Sequence, residues 1–170
     1  MTNNGIDVKG TRDAIRIVGK IDPEFRKQAR RDIYAAVKPL QLHVRDAFPS
    51  SPPLSGMTRG RLAYTNKAKT GVTTKTFGRD RSAGVYYLAA IKQANPAGVM
   101  FDMAGRKSRG NTPQGQALIR NLDARHGKAS RAIYPTIARH KAETIRDIER
   151  IVDRVALRLS VELNAQKAGY

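Results

Sequence analysis

The chain has 170 residues, in which 32 lysines and arginines outnumber 14 aspartates and glutamates, so its net charge is +18 and its isoelectric point is near 10.8. The length suits one domain with a modest core, and the charge is unusual for a soluble enzyme but ordinary for a protein that meets nucleic acid or an acidic surface. The absence of cysteine excludes disulfides and cysteine-based zinc sites, and the first ten residues hold no apolar segment typical of a secretory signal.

The positive charge is concentrated in the middle third of the chain. Residues 51–110 contain 11 lysines and arginines but only two acids, Asp80 and Asp102, which gives them half of the net charge. The flanking thirds mix both signs and are typical of solvated helix faces. The middle third is equally consistent with a solvated surface and with a binding surface.

The N-terminal third is predicted to be mainly helical. Ile6-Asp7-Val8 favours a short strand, and Thr11 could cap a short helix over 12–20. Asp22-Pro23-Glu24 combines a capping side chain, a proline and an acid, as at the start of many helices. The helix that follows should run to about Ala47. Apolar residues recur along it at steps of three or four: Phe25, Ala29, Ile33, Val37, Leu40 and Val44.

Two prolines should shape the end of this first long helix. Pro39 lies inside the periodic pattern and is predicted to kink or split the helix, because proline cannot donate the backbone hydrogen bond. Pro49 should close it. The next segment, 50–60, is rich in serine, proline and glycine and is predicted to be an ordered turn-rich connector.

A β-hairpin is predicted next. A strand could begin at 61–64, and residues 67–84 contain a Thr- and Val-rich segment that favours strand. The hairpin would have a basic tip at Arg79-Asp80-Arg81, and its second arm would be 85–91.

The central segment, 85–105, is the longest mostly apolar stretch of the chain. It should hold two buried parts, 85–91 and 97–104, separated by a break at Asn95-Pro96. It is too short and too interrupted to cross a membrane. The polar residues 106–115 predict a flexible loop, and a short helix is expected over 116–125, with its end at His126-Gly127.

The last helix has the clearest pattern. Ser130 could cap it and Pro135 falls in an early turn. From Ile145 to Leu159 the apolar residues step by three and four, as in a coiled-coil seam. Such a helix usually packs on its own domain. The more specific alternative is that it contacts a second subunit, because Ile151 and Leu157 widen its apolar face. The positions that step by three and four are Ala138, Lys141, Ile145, Ile148, Val152, Val155, Leu159 and Leu163.

No pattern of catalytic or metal-binding residues stands out. His43, His126 and His140 are far apart in sequence and lack the spacing of a metal site, and no serine lies in a triad context. The glycines and basic residues of 105–110 only faintly resemble a phosphate-binding loop. We therefore expect no catalytic residue, no cofactor and no metal. The candidate residues for contact with DNA or a neighbouring protein are basic: Lys67, Lys69, Lys75, Arg79, Arg81, Arg106, Lys107 and Arg109.

Three landmarks, taken in order, are familiar. A long N-terminal helix leads through Phe48-Pro49 and Leu54-Ser55-Gly56 to Arg61-Leu62. A hairpin region ends in an apolar strand and a glycine, Val99–Gly105. A Ser130-Arg131 turn with Pro135 then begins a long C-terminal helix. This order, over about residues 4–165, resembles the tail-completion or neck proteins of long-tailed bacteriophages, although the insert at 106–128 is longer and the charge is higher than that family leads us to expect.

The resemblance implies a structural virion protein, assembled in the host cytoplasm, that forms a ring around the DNA channel at the head–tail junction. It implies a homo-oligomer with six-fold symmetry, or twelve-fold as an alternative, beside head-closure and tail-tube proteins and with no membrane partner. The basic residues would face either packaged DNA or another protein ring. A sequence-independent nucleic-acid-binding protein is the alternative function, and a small nuclease or toxin would need a site that the sequence does not show.

The sequence thus predicts an α+β fold in a single domain, with long N- and C-terminal helices packed on a small antiparallel sheet that bears an extended basic β-hairpin. Four parts should follow one another: a helical part (1–50), a basic β-rich part (51–105), a loop with a short helix (106–130) and the C-terminal helix (131–165).

Overall fold

Helices and a small antiparallel sheet make up this α+β chain, in a computed structural model that describes residues 5–6, 23–60, 63–80, 85–107 and 110–168. A 3₁₀ turn at Ser55–Met57 lies between the first two helices. The helices and strands are β1 (Gly5–Ile6), α1 (Pro23–Asp46), α2 (Lys67–Thr70), β2 (Val72–Asp80), β3 (Val85–Gln93), α3 (Pro96–Met103), α4 (Pro113–His126) and α5 (Ile133–Ala168).

The sheet has the strand order β1-β3-β2. Strand β1 runs antiparallel to β3, with Gly5 opposite Ala90 and Ile6 opposite Ala89. The pairing of β2 with β3 confirms the predicted hairpin. Arg81 of the predicted hairpin tip lies outside the described residues. The helix predicted over 12–20 and the cap predicted at Asp22 also lie outside them.

The chain divides into two compact units, each built from segments that are distant in sequence. Unit 1 consists of Met1–Pro39, Thr74–Ala90 and Lys141–Tyr170, and unit 2 of Leu40–Thr73 and Ile91–His140. In unit 1 the buried residues include Ile33 and Val37 from α1 and Ile148 and Val155 from α5. The core of unit 2 contains aliphatic side chains, such as Leu54 and Leu122, and a cluster of aromatic rings.

That aromatic cluster is centred on the buried Phe101, and it includes the exposed His126 at its edge. Its ring lies 5.8 Å from that of Phe48, 6.0 Å from that of Tyr64 and 5.4 Å from that of His126, measured between centroids. These tilted and edge-on arrangements are the ones aromatic rings prefer. They join the end of α1, the connector, α3 and α4 into one packed unit.

Helix α1 follows the predicted pattern. It begins at Pro23 and buries residues at the predicted apolar spacing, among them Ala29, Ile33 and Val44. The predicted split at Pro39 is wrong, because the helix continues through it to Asp46. Pro39 and Ala35, whose carbonyl loses its partner, are both exposed, so water can satisfy that carbonyl.

The predicted strand at 99–104 is also wrong, since Val99–Met103 belongs to helix α3 and Ala104 follows it. The Asn95 side chain accepts a hydrogen bond from the Gly98 amide at 3.0 Å, and Pro96 occupies the first helical position. An asparagine cap followed by proline is a helix start. The Asn95-Pro96 pair predicted as a break therefore begins a new element.

The segment before β2 is helical rather than extended. Residues Lys67–Thr70 form the short helix α2, and the strand begins only at Val72. The Gln93 side chain donates to the Ala68 carbonyl at 2.7 Å, which satisfies part of the helix end. Ala63 and Tyr64 are not in a strand; residues 61–62 of that prediction lie outside the described residues.

Helix α4 begins three residues earlier than predicted, at Pro113, because Thr112 caps it by accepting a hydrogen bond from the Gly115 amide at 3.1 Å. Residues 113–115 of the predicted flexible loop are thus helical. The predicted end is confirmed: Gly127 follows the helix with a φ of 79°, a conformation that glycine adopts at little cost.

Helix α5 begins at Ile133, and its cap comes from another helix. The predicted cap at Ser130 is wrong, since Ser130 has a φ of 72° and precedes the helix. Instead, the buried Asp102 carboxylate accepts hydrogen bonds from the Ala132 amide at 2.6 Å and from the Ile133 amide at 3.2 Å. The end of α3 is thereby fixed to the start of α5.

Arg131 completes this junction with a side chain that is 1% exposed. Its guanidinium donates to the carbonyl oxygens of Phe101, Ala104 and Gly127 at 2.8, 3.1 and 2.7 Å, and pairs with Asp123 at 2.6 Å. One planar group with several fixed donors therefore holds α3, the end of α4 and the start of α5 together.

The buried tyrosine of the connector gives a pH-dependent prediction. Burial raises the pKa of Tyr64 to about 12, and its hydroxyl donates to the Pro49 carbonyl at 2.9 Å. The pKa in the folded protein is thus above the unfolded value of about 10. The contribution of Tyr64 to the free energy of unfolding is therefore fully present below pH 10 and is lost as the pH rises towards 12. We expect the wild type to lose about 1 kcal/mol of unfolding free energy by pH 11 from this group alone.

Tyr64→Phe isolates the effect, because phenylalanine keeps the ring and cannot ionise. At neutral pH the variant should be about 1 kcal/mol less stable, since it lacks the hydrogen bond to Pro49. In urea unfolding at increasing pH, that deficit should shrink and vanish near pH 11. A deficit that stays constant between pH 8 and pH 11 would contradict the role assigned to Tyr64.

Candidate binding surfaces

The basic residues predicted to contact DNA or a neighbouring protein are divided between the two units. Lys75 belongs to unit 1, whereas Lys67, Lys69, Arg106 and Lys107 belong to unit 2. All of these are exposed except Lys69, which is half-buried. For Arg79 the structure describes only the backbone, in β2, and Arg81 and Arg109 lie outside the described residues.

Within unit 2 these cations have different surroundings. Helix α2, which carries Lys67 and Lys69, packs against α3. The Arg106 guanidinium lies 5.3 Å from the centre of the Tyr134 ring, a cation–π contact at the protein surface. Arg106 therefore contacts an aromatic ring of its own unit.

A second basic surface, which the sequence prediction did not include, lies in unit 1 between α1 and β2. Arg26, Lys27 and Arg30 on the first turns of α1 line a cavity of about 370 Å³ together with Pro23 and with Phe77 on β2. We call these residues the basic groove. The Arg30 guanidinium lies 5.7 Å from the centre of the Phe77 ring. The groove therefore combines three cations with an aromatic wall.

The position of Phe77 depends on local backbone geometry. Phe77 has a φ of 54°, which is rare for a residue with a side chain, and it interrupts the regular alternation of β2. Gly78 follows it, and a Cβ at Gly78 would collide with the Tyr87 ring. Because side-chain direction in a strand normally alternates, sequence pattern alone does not place Phe77 beside α1.

Helix α5 has an exposed apolar side besides its buried one. Ile148, Ile151 and Val155 are buried, so the predicted packing of this helix on its own domain is found in unit 1. In contrast, Leu157 is 68% exposed and Val161 is 61% exposed. Burial of a leucine or valine side chain would stabilise the protein, and these two side chains do not contribute in that way. At 100° per residue, Leu157 lies roughly 150° around the helix from the buried side.

Leu157 and Val161 are four residues apart, which places them one above the other on the same side of the helix. We call these two residues the outer pair. Asn164 lies one turn further along that side and is exposed, and its side chain is polar. Leu159 and Leu163, which the predicted seam included, have side chains outside the described set, so that part of the seam stays a prediction.

Two histidines that are far apart in sequence meet in unit 2. The rings of His43 and His140 stack with their centroids 4.1 Å apart and their planes 7° from parallel. A metal ion bound by histidine lies in the plane of each ring, so two parallel rings stacked face to face do not share one ion. The described part of the chain contains no group of three histidine, cysteine, aspartate or glutamate residues arranged for a metal.

Two further cavities flank α4 in unit 2. One, of about 520 Å³, is lined by Gln116, Ile119, Arg120 and Asp123. The other, of about 350 Å³, lies between α4 and the connector and is lined by Leu54, Ser55, Gly56, Gln114, Leu118, Asn121 and Arg125. Their mixed linings hold no cluster of acids, nucleophiles or ligands that suggests a particular ligand.

The fold and surfaces define a small, strongly basic α+β protein with a basic groove and an exposed apolar pair on a long helix. Comparison with models of known protein families, with curated proteins and with solved structures gave no match. Among the described residues, no helix is both long and apolar enough to cross a bilayer. The function must therefore be inferred from the surfaces and from the landmarks of the sequence.

Proposed function

We propose that this chain is a structural subunit of the head–tail junction of a long-tailed bacteriophage, where copies form a ring around the DNA channel. The observation that carries the proposal is the outer pair. A leucine and a valine exposed on the same side of a long helix lose the stabilisation that burial would bring, and a neighbouring copy would restore it. A ring subunit needs such complementary side surfaces.

The length of α5 supports the same conclusion. It has 36 residues, or about 54 Å at 1.5 Å per residue, well above the usual length of a helix in a globular domain. Its buried residues Ile148, Ile151 and Val155 lie before the outer pair. The C-terminal end of α5 is thus the part that a neighbour would cover.

The described residues of two of the three landmarks behind the family resemblance follow one another in the expected order, and Arg61-Leu62 of the first landmark lie outside the described residues. The first long helix ends before Pro49 and passes into the Ser55–Met57 turn, and Ser130-Arg131 precedes the C-terminal helix. The middle landmark is present with a different structure, since Val99–Met103 is helical. The order of elements therefore still favours the neck-protein hypothesis, with a helix where the resemblance implies a strand.

The direct test is a phage that carries a deletion of this gene. We expect heads and tails that fail to join, or tails that end abnormally, visible by negative-stain electron microscopy, with infectivity restored by the gene supplied on a plasmid. Mass spectrometry of complemented virions should find the chain in many copies. Joined, infectious particles without it would overturn the proposal.

The outer pair gives a prediction about assembly. Light scattering after size exclusion should find a multi-copy species for the wild type and a monomer for the double variant Leu157→Glu, Val161→Glu, which places two carboxylates in the apolar contact. Burying an unpaired carboxylate costs several kcal/mol, more than one such contact can offset. Helix content by circular dichroism should not change, because both positions are exposed.

A matched control adds the same two charges elsewhere on α5. Ala142 and Ala156 are exposed and lie outside the outer pair, so Ala142→Glu with Ala156→Glu should leave assembly intact. Equal loss of assembly in both double variants would assign the effect to net charge. A wild-type chain that is monomeric at the highest attainable concentration would remove the outer pair as support.

A further inference from the structure

We infer that the basic groove of unit 1 binds the phosphodiester backbone of a nucleic acid, with Arg26, Lys27 and Arg30 as the phosphate contacts and Phe77 as a surface for a base. This goes beyond the proposed ring function and does not depend on it, because the groove residues belong to α1 and β2, and the outer pair belongs to α5. The groove volume of about 370 Å³ is within the range of ligand pockets.

The charges of the groove are only weakly compensated by the described acids. Lys27 pairs with Glu24 at 3.4 Å, but both side chains are largely exposed, at 58% and 81%. Such surface pairs stabilise a protein by less than about 1 kcal/mol, so a phosphate can displace the carboxylate. The ion pairs among the described residues do not include Arg26 or Arg30. Guanidinium groups bind phosphate oxygens in a bidentate manner.

Phe77 favours a nucleic acid over an acidic protein as the ligand. A carboxylate-rich peptide would need only the cations, whereas a base can also stack on an aromatic ring and on the plane of an arginine. The Arg30 guanidinium and the Phe77 ring are 5.7 Å apart and line the same cavity. The groove therefore offers phosphate contacts and a stacking surface within reach of a single nucleotide.

The test uses the full-length chain and fluorescein-labelled oligonucleotides, one single-stranded oligo-dT and one duplex of equal length, with anisotropy measured over a salt titration. Arg26→Gln combined with Arg30→Gln should lower the affinity at least tenfold and reduce the slope of log affinity against log salt by about 1.5–2, since each lost phosphate contact reduces it by roughly one. Arg146→Gln with Arg154→Gln is the control, because it removes the same charge from exposed positions on α5. The control should change the affinity less than about twofold.

A Phe77→Leu variant separates single-stranded from duplex binding. Leucine keeps an apolar side chain at the same backbone conformation but removes the ring, so the affinity for the single strand should fall roughly fivefold to tenfold. Duplex affinity should not change, because duplex bases are not free to stack. An effect on neither form would restrict the groove to phosphate contact and overturn the role of Phe77.

Three results would overturn the site itself. These are equal losses in the groove and control double variants, no binding of either oligonucleotide at low salt, and binding of poly-glutamate as tightly as an oligonucleotide of the same charge. Thermal melts of every variant confirm that the fold is intact. Failure of these experiments leaves the virion deletion test unaffected, so the two proposals fail separately.

Discussion

Arg131→Ala is expected to lower the free energy of unfolding by about 3–4 kcal/mol, the largest effect of any single substitution considered for this chain. The guanidinium belongs to a side chain that is 1% exposed, and it donates to three backbone carbonyls and to Asp123. Without it, the carbonyls of buried Phe101 and half-buried Ala104 lose their partner, and a buried unsatisfied group costs about 1–3 kcal/mol, whereas water can reach the carbonyl of the exposed Gly127. Since whole domains are stable by only about 5–15 kcal/mol, this loss is a large fraction of the total, and the variant should melt at a clearly lower temperature than the wild type.

Two variants show which part of Arg131 matters. Arg131→Lys keeps the charge but lacks the planar set of donors, so it should recover less than half of the loss. Asp123→Asn removes only the ion pair, whose carboxylate is 41% exposed, and should cost less than about 1 kcal/mol. Urea unfolding followed by circular dichroism measures all three. If Arg131→Lys were as stable as the wild type, the positive charge, and not the planar set of N–H donors, would account for the stabilisation by Arg131.

Asp102→Ala is the second large effect, with an expected loss of about 2–4 kcal/mol. The carboxylate accepts from the Ala132 and Ile133 amides, and Ala132 is 0% exposed and Ile133 7% exposed, so water does not easily replace it. Loss of an N-terminal cap costs about 0.5–2 kcal/mol. The cavity left by the missing carboxyl group and the two unsatisfied amides add to that.

The matched variant is Asp102→Asn, which keeps the shape and one acceptor oxygen for the α5 amides. It should lose about 1 kcal/mol through the weaker attraction of a neutral group to the helix start. Its new amide nitrogen would occupy the place of Oδ2, which has no hydrogen-bond partner among the described residues. A loss below about 0.5 kcal/mol for the alanine variant would show that α5 does not depend on this cap.

These stability variants also serve the functional experiments. Arg131 and Asp102 belong to unit 2, whereas the basic groove and the outer pair belong to unit 1. At a temperature where the variants remain folded, oligonucleotide affinity and assembly should therefore match the wild type. A loss of binding in Asp102→Asn would indicate that the groove depends on the integrity of the whole chain.

Periodicity in the sequence predicted the two long helices, because each buries residues along one side and the spacing of those residues is visible in the chain. Proline at the start of α1 and glycine after α4 marked the helix ends for local steric reasons. The hairpin was predictable from its β-branched residues. The candidate site was predicted less well: net charge pointed to basic surfaces, but the list of residues came from the middle third and omitted Arg26, Lys27 and Arg30.

The α+β class, the extent of α1, the hairpin and the strongly positive charge follow from the amino-acid sequence without the structure, since each of these depends on composition or on residues within a few positions of one another. Three contacts became visible only in the folded chain: the cap of α5 by Asp102, the burial of the Arg131 side chain beside carbonyls of the α3 end and of Gly127, and the contact of Phe77 with α1. Apart from the contact with Gly127, these join residues about 30 or more positions apart. A lone buried aspartate, an arginine in a turn and a phenylalanine with positive φ have no local pattern that reveals such partners, because the partners are brought together only by the packing of the core.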